Sequence, residues 1–174
     1  MELELVHGLD NVLGCSPYKA VAKVQIIFST VGGNTEIVAN KVASELILKE
    51  HKISMFRVDN LDPGTILNYD LTIFLSPTYN QGTLDDHYKP FFKNWKKLDL
   101  KNHAFCAAGL GNTKYYSEYL TESTGLLEQE ILNIQGLIAV PGLRIGVDPL
   151  KVLDSLVAKW CQKIDLFLIE NFSK

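Results

Sequence analysis

Cysteine is scarce in this chain, with only Cys15, Cys106 and Cys161 among 174 residues. Three thiols so far apart can form neither a disulfide framework nor a zinc cage, and we expect them to be reduced, as in a cytoplasmic protein. None of the four histidines lies at metal-ligand spacing from cysteines or carboxylates. The sequence therefore predicts no metal site.

Long apolar runs and an excess of one charge are also missing. No stretch approaches the roughly 18 uncharged apolar residues of a transmembrane helix, and the Met-Glu-Leu-Glu start lacks the basic region of a secretory signal. Seventeen Lys/Arg against 20 Asp/Glu give a net charge of −3, and the basic residues are scattered. We therefore expect no membrane insertion and no nucleic acid partner. The absence of a Gly-x-Ser-x-Gly motif also argues against a hydrolase.

Short apolar runs alternate with amphipathic stretches over most of the chain. Strands are predicted over residues 24–28, 54–58, 71–75, 104–108 and 137–145. The last of these is expected to kink at the Pro141-Gly142 step. Residues 1–22 are predicted to be an N-terminal extension that packs on the domain formed by residues 23–174.

Amphipathic patterns predict helices between these strands. Val38, Val42 and Leu46 are spaced by four on one face, and a helix ending near Trp95 is expected to be interrupted at Pro90. The last helix is predicted to begin near Pro149 and to bury a stripe formed by Leu153, Leu156, Val157, Trp160 and Ile164. Apolar strands alternating with such helices indicate an α/β fold, a doubly wound parallel sheet with helices on both faces.

Three unusual loops follow strands one, three and four, at residues 29–35, 76–82 and 109–116. The carboxyl ends of parallel strands meet at one edge of the sheet, so these loops converge on one crevice. In the first loop, Gly32 and Gly33 allow the backbone to approach an anion, and Thr30, Asn34 and Thr35 offer hydrogen-bond donors. The N–H groups of the following helix can then bind a phosphate without a lysine, which favours a mononucleotide ligand.

The segment FSTVGGNTE at residues 28–36 resembles the phosphate loop of flavodoxins, with Gly32 where that family usually has threonine. SPTYNQGTL at residues 76–84 is similar to the first flavin loop of the family, and GLGNTKYY at residues 109–116 to the second. The LRI…DP sequence and Trp160 resemble its last strand and helix. The resemblance implies a flavodoxin-like sheet of five parallel strands in the order 2-1-3-4-5, with FMN as cofactor.

The resemblance also implies the cofactor-binding residues. These are Ser29, Thr30, Val31, Gly32, Gly33, Asn34 and Thr35 in the first loop, Pro77, Thr78, Tyr79, Asn80, Gln81 and Gly82 in the second, and Gly109, Leu110, Gly111, Asn112, Tyr115 and Tyr116 in the third. Aromatic faces suit a flavin ring, so we expect stacking by Tyr79 and by Tyr115 or Tyr116, a choice that the loop length leaves open.

The function implied by the resemblance is single-electron transfer between redox proteins by a short-chain flavodoxin, a monomer without catalytic residues. Two other functions remain open at this point. One is a flavodoxin-like NAD(P)H:quinone reductase, for which the chain offers no nicotinamide or quinone pocket. The other is a ribonucleotide-reductase-activating flavoprotein, whose second flavin loop also carries Gly-Asn. A basic stretch, residues 89–101, differs from the acidic surfaces usual among flavodoxins.

Overall fold

A computed structural model describes residues 21–79, 82–111 and 122–172. Within these ranges the strands are β1 (Lys23–Phe28), β2 (Lys52–Arg57), β3 (Leu71–Tyr79), β4 (Thr83–Leu84), β5 (Ala104–Leu110), β6 (Leu137–Ile138) and β7 (Leu143–Ile145). The α-helices are α1 (Asn34–Leu48), α2 (Tyr88–Trp95), α3 (Glu122–Asn133) and α4 (Ala158–Phe172). Strands and helices alternate as the sequence predicts.

The sheet has the predicted strand order. Its main path runs β2-β1-β3-β5-β6, with every neighbouring pair parallel. The short β4 pairs antiparallel with the end of β3, and β7 pairs parallel with the end of β5. Because β6 and β7 are two pieces of the fifth predicted strand, this is the order 2-1-3-4-5 with one added hairpin strand.

Two strands run further than predicted. β3 continues from Leu75 to Tyr79, and β5 continues from Ala108 to Leu110. Ser76 pairs with Gly109 and Pro77 with Leu110, so the parallel ladder extends into what the sequence marked as loops. The two extensions depend on each other, because each strand provides the backbone groups that the other pairs with. The polar and proline residues at these positions suggest that the strands end earlier. β2 also begins two residues earlier than predicted, at Lys52.

Alternate residues of the strands pack on opposite faces of the sheet. Ile26 lies in the cluster that packs on α1 and α4, while Ile27 packs with the aromatic residues of α2 and with α3. Val38, Val42 and Leu46 of α1 are completely buried, as their spacing predicts. Both faces of the sheet are thus covered, which explains the continuous apolar runs of the strands.

Helix α2 corrects one prediction, because Pro90 does not interrupt it. Pro90 is the third residue of α2, in the first turn, where backbone N–H groups have no partner within the helix. The helix is fixed to the sheet by Tyr88, whose buried hydroxyl lies 2.8 Å from the carbonyl oxygen of Leu75 and 3.1 Å from that of Ile27. Burial raises the pKa of this phenol well above its ordinary value.

The fifth strand is broken at the predicted kink. Pro141 lies between β6 and β7, and its carbonyl oxygen accepts a hydrogen bond from the indole N–H of Trp160 in α4 at 3.0 Å. The N–H of Gly142 donates to a carboxylate oxygen of Glu128 at 2.8 Å, and a Cβ at this glycine would lie 2.4 Å from Thr124. Close packing of α3 therefore bends the strand away from the ladder.

The start of the last helix differs from its predicted form. A 3₁₀ turn (Pro149–Lys151) and a π turn (Leu153–Val157) precede α4. The wider π turn shifts the helical phase, so Leu156 is exposed rather than part of the apolar stripe, and Leu153 is only partly buried. Val157, Trp160 and Ile164 are buried as predicted.

The two described cysteines occupy the core, as expected. Cys106 lies in β5 and Cys161 in α4, and both belong to the cluster that packs on α1. Burial raises the pKa of the Cys161 thiol to about 12 and that of Cys106 still further above its ordinary value. Both thiols are therefore protonated and unreactive at neutral pH.

A buried polar pair closes the amino-terminal edge of the sheet. The Nε2 atom of His51 lies 3.0 Å from a carboxylate oxygen of Asp165, and the N–H of Ala22 donates to Nδ1 at 3.2 Å. Because Nδ1 accepts a hydrogen bond, Nε2 carries the ring proton and donates it toward Asp165. The pair ties α4 to the chain segments that enter β1 and β2.

Candidate functional site

The loop after β1 leaves the first turn of α1 without a side-chain cap. Gly33 is the capping residue, with φ of +86°, and no side chain accepts a hydrogen bond in the capping position. The hydroxyl of Thr30 instead accepts from the N–H of Gly33 at 2.9 Å. A Cβ at Gly32 or Gly33 would meet nothing within 4 Å, so the backbone is open to a ligand. This arrangement presents helix N–H groups to an anion.

A buried hydroxyl stands at the start of this loop in the chain. Ser29 is only 1% exposed, and its Oγ has no hydrogen-bond partner among the described residues. The loop itself is held by Arg57, which donates to the carbonyl oxygen of Thr30 at 3.2 Å. Val31 lies on the outside, 78% exposed, so its side chain adds nothing to the crevice. A buried donor without a partner beside an uncapped helix fits a phosphate group.

The second predicted loop is a tight hairpin between β3 and β4. Gly82 has φ of +102°, and its N–H donates to the carbonyl oxygen of Tyr79 at 3.0 Å. The hydroxyl of Thr83 donates to the same oxygen at 3.0 Å. Tyr79 is half-buried at the end of β3, and burial, followed by the nearby charge of Asp85, raises its pKa. The hairpin thus fixes one aromatic side chain at the edge of the sheet.

Hydroxyl groups at the start of α3 form the floor under this edge. Ser123 lies 2.8 Å from the hydroxyl of Thr78 and 3.2 Å from the carbonyl oxygen of Ser76. Thr124 donates to the carbonyl oxygen of Leu143 at 3.1 Å. A Cβ at Gly109 would lie 2.3 Å from Thr124 and 2.5 Å from Ser123. Gly109 is therefore required for close packing of α3 beneath the crevice.

A cavity of about 580 Å³ opens where these segments meet. Its lining consists of Asn34, Thr35, Pro77, Thr78, Leu110, Gly111, Val147, Asp148, Pro149 and Lys151. The first six were predicted from the sequence, and they come from all three predicted loops. The last four were missed. The signal for them is that β7 ends at the same edge as β1, β3 and β5, so the segment after it also faces the crevice.

Several predicted site residues lie outside the described ranges. They are Asn80, Gln81, Asn112, Tyr115 and Tyr116. The choice between the two tyrosines as a second aromatic partner of the ring therefore stays a prediction.

A charged network borders the crevice on the side of α2. The Nδ1 atom of His87 lies 2.6 Å from a carboxylate oxygen of Asp85, and Nε2 lies 3.3 Å from Asp59. Asp59 also binds Arg57 at 3.0 Å, which holds the pKa of this carboxyl below its usual range. The hydrogen bond that His87 donates to Asp85 raises the pKa of the imidazole above 6.5. Asp85 is 3% exposed.

Neither metal binding nor membrane insertion has support in the part of the chain that the structure describes. No group of three or more His, Cys, Asp or Glu side chains could hold a metal ion there. Likewise, none of the described helices combines the length and apolar character needed to cross a bilayer.

The strand order is the one that the resemblance to flavodoxins implies. The family model for flavodoxins matches residues 26–160. The chain belongs to the flavodoxin family. Family membership makes it an FMN-binding electron-transfer protein, a carrier rather than an enzyme. The quinone reductase and the ribonucleotide-reductase-activating flavoprotein are not favoured.

Individual flavodoxins support the family assignment. A probable flavodoxin from Bacillus subtilis is 25% identical over 130 residues, covering 74% of this chain and 85% of that protein. The crystal structure of oxidised flavodoxin 2 from Bacillus cereus aligns with a TM-score of 0.74 at 24% identity, over 87% of this chain and 100% of the other. A flavodoxin from Fusobacterium nucleatum bound to flavin mononucleotide aligns at 0.73 and 17% identity, over 84% and 98%. These structures show the shared fold.

Proposed function

We propose that the described crevice is the FMN site and that the chain carries single electrons between redox proteins through a flavin held there. The uncapped first turn of α1 carries the proposal, together with the buried hydroxyl of Ser29 beside it. These donors are left without partners at the carboxyl edge of a parallel sheet, where mononucleotides bind in doubly wound folds. When bound, FMN supplies the redox chemistry, and the protein positions and tunes it.

The phosphate end is assigned to the loop after β1. The N–H groups of Asn34 and Thr35 and the hydroxyls of Ser29 and Thr30 can donate to a phosphate oxygen, and the helix dipole favours its negative charge. The hydroxyl of Thr30 can make both hydrogen bonds at once. Its oxygen accepts from the N–H of Gly33, and its proton can be donated to a phosphate oxygen. No backbone movement is needed.

The ring end is assigned to the loops after β3 and β5. Half-buried Tyr79 offers an aromatic face, and Pro77, Leu110 and Gly111 form the adjoining wall. Thr78 cannot be counted as a free hydroxyl, because Ser123 already lies 2.8 Å from it. Asn80, Gln81, Asn112 and one of Tyr115 and Tyr116 complete this assignment as sequence predictions.

The carrier role sets the expected partners and location. We expect protein donors and acceptors, a monomeric carrier, no nucleic acid ligand and a cytoplasmic location. Support comes from the reduced cysteines expected of the sequence, the net charge of −3 and the scattered basic residues. An electron carrier needs only one exposed flavin edge for these partners.

Reconstitution of the purified protein tests the assignment. Added FMN should bind in a 1:1 complex with the absorption spectrum of a protein-bound oxidised flavin, and the chemically reduced complex should pass electrons to a cytochrome. The same complex, mixed with NADPH and a quinone but no reductase, should show no turnover. Sustained NADPH oxidation would instead support the reductase reading, and failure to bind FMN would reject the crevice as a flavin site.

A further inference from the structure

The phosphate end of the crevice contains no cation in the loop that binds it. Residues 29–36 read STVGGNTE and carry one charge, the negative Glu36 in the first turn of α1. Asp148 lines the same cavity and adds a second carboxylate. A phosphate dianion placed there would face two nearby negative side chains with only N–H and O–H donors for compensation.

Lys151 supplies positive charge to this cavity from a separate segment. It ends the 3₁₀ turn Pro149–Lys151 and lines the cavity together with Asn34 and Thr35. The turn is fixed, because the carboxylate of Asp148 accepts a hydrogen bond from the N–H of Leu150 at 3.1 Å and its backbone carbonyl oxygen accepts one from the N–H of Lys151 at 3.1 Å. Its carboxylate is thereby engaged with its own backbone, and the lysine stem starts from a defined place on the cavity wall.

Among the described residues, no carboxylate binds the ammonium group of Lys151. Lys151 forms no ion pair with any described residue. By contrast, Lys41 of α1 binds both Glu45 and Asp154 at 2.7 Å, and these hydrogen bonds raise its pKa above the ordinary value. Asp154, three residues after Lys151 in the chain, is thus already paired with Lys41.

We propose that Lys151 is a phosphate-binding residue and that its ammonium group neutralises the FMN phosphate from across the crevice. The assignment rests on the proposed function, and it revises the sequence-based expectation that the phosphate is bound without a lysine. A flexible four-carbon stem lets a lysine act as a point charge that reaches a phosphate without rebuilding the loop. It also gives the protein a means of distinguishing FMN from riboflavin, which lacks the phosphate.

Titration of the apo-protein with FMN and with riboflavin tests the assignment. In 20 mM salt, Lys151→Gln should weaken FMN binding by about three- to tenfold, the range of one partly screened ion pair, and leave riboflavin binding unchanged. Raising the salt to 300 mM should weaken FMN binding less in the variant than in the wild type. Lys163→Gln, which removes an exposed lysine of α4, is the matched control and should bind FMN like the wild type.

Three results would overturn the proposal. They are FMN affinity of Lys151→Gln within twofold of the wild type in 20 mM salt, an equal loss for riboflavin, or an equal loss in Lys163→Gln. Far-UV circular dichroism and thermal unfolding of the variant should match the wild type, since Lys151 is exposed. If the wild-type protein binds neither flavin, the proposed function itself fails, and the role of Lys151 fails with it.

Discussion

Two polar clusters lie at opposite edges of the same sheet and differ in how many of their buried polar groups are hydrogen-bonded. At the amino-terminal edge, His51 has a partner on each ring nitrogen, Ala22 on one side and Asp165 on the other. At the carboxyl edge, the hydroxyl of Ser29 is also buried but has no hydrogen-bond partner among the described residues, and α1 begins without a side-chain cap. Buried polar groups are nearly always hydrogen-bonded, so the carboxyl edge is the one that has donors to offer to a ligand.

The cluster of His51 and Asp165 at the amino-terminal edge should matter most for stability. Asp165→Ala removes the acceptor of the buried His51 N–H, and we expect the free energy of unfolding to fall by about 2–3 kcal/mol. FMN affinity of the folded protein should stay within twofold of the wild type. Urea unfolding followed by circular dichroism measures the loss, with Asp86→Ala, at an exposed aspartate, as the control.

A double-variant cycle sharpens this test. Once Asp165 is replaced, His51→Ala should cost much less than it does in the wild type, because the two side chains stabilise the fold as a pair. If the losses of unfolding free energy in the two single variants add up to that of the double variant, His51 and Asp165 act separately. The amino-terminal edge would then hold no stabilising pair to contrast with the carboxyl edge.

The cluster at the carboxyl edge, formed by the loop after β1 and the first turn of α1, should matter mainly for FMN binding. Asn34→Asp places a carboxylate in the first turn of α1, beside the bound phosphate, and should weaken FMN binding by about 1–3 kcal/mol, or several-fold to more than a hundredfold. Stability of the apo-protein should hold or rise slightly, since a negative charge suits a helix N-terminus. Fluorescence titration gives the affinity. Asn40→Asp, at a position further along the same helix, should change the affinity far less. Unchanged binding by Asn34→Asp would exclude this loop as the phosphate site.

The ring end should show a smaller effect. Tyr79→Ala should lose about 0.5–1.5 kcal/mol of FMN affinity from stacking alone and should brighten the fluorescence of the bound flavin. Tyr69→Ala removes another half-buried tyrosine, one that packs on Phe56 away from the crevice, and serves as the control. Equal fluorescence and affinity for Tyr79→Ala and the wild type would place the ring elsewhere.

The charged network beside the crevice should give the smallest effect, one that depends on pH. The pKa of His87 is raised in the folded protein by its hydrogen bond to Asp85, so its contribution to stability is complete below pH 6.5 and is lost as the pH rises through the folded pKa. His87→Gln should therefore lower the urea midpoint relative to the wild type more at pH 5.5 than at pH 8.5. A difference independent of pH would mean that the ionised imidazole is not what Asp85 and Asp59 stabilise.

The sequence allowed the layout of the sheet and most of the crevice to be predicted, because these follow from local patterns. The apolar runs mark the strands, and Gly32 and Gly33 mark the open loop. What could not be predicted depends on contacts between distant segments. Pro77 continues a strand only because Leu110 pairs with it, and Lys151 reaches the crevice only because β7 ends beside β5.

The role of Gly109 illustrates the same limit. Its place in a loop that resembles a flavin-binding motif predicts contact with the cofactor, and the structure adds a packing reason for glycine that the sequence does not indicate, the crowding by Ser123 and Thr124. Likewise, no local pattern indicates that Asp85 is buried while its neighbour Asp86 is exposed. Such burial depends on how α2 docks on the sheet.

The close packing of α3 against Gly109 also has a consequence for the rate of electron transfer. Ser123 and Thr124 bind the ends of β3 and β7 through their hydroxyl groups, and they pack against Gly109 of β5 with no room there for a methyl group. A floor packed in this way resists displacement when the charge above it changes. With the flavin bound above this floor, as proposed, fixed dipoles would not need to reorient as an electron arrives or leaves, and the activation barrier of each transfer would stay small.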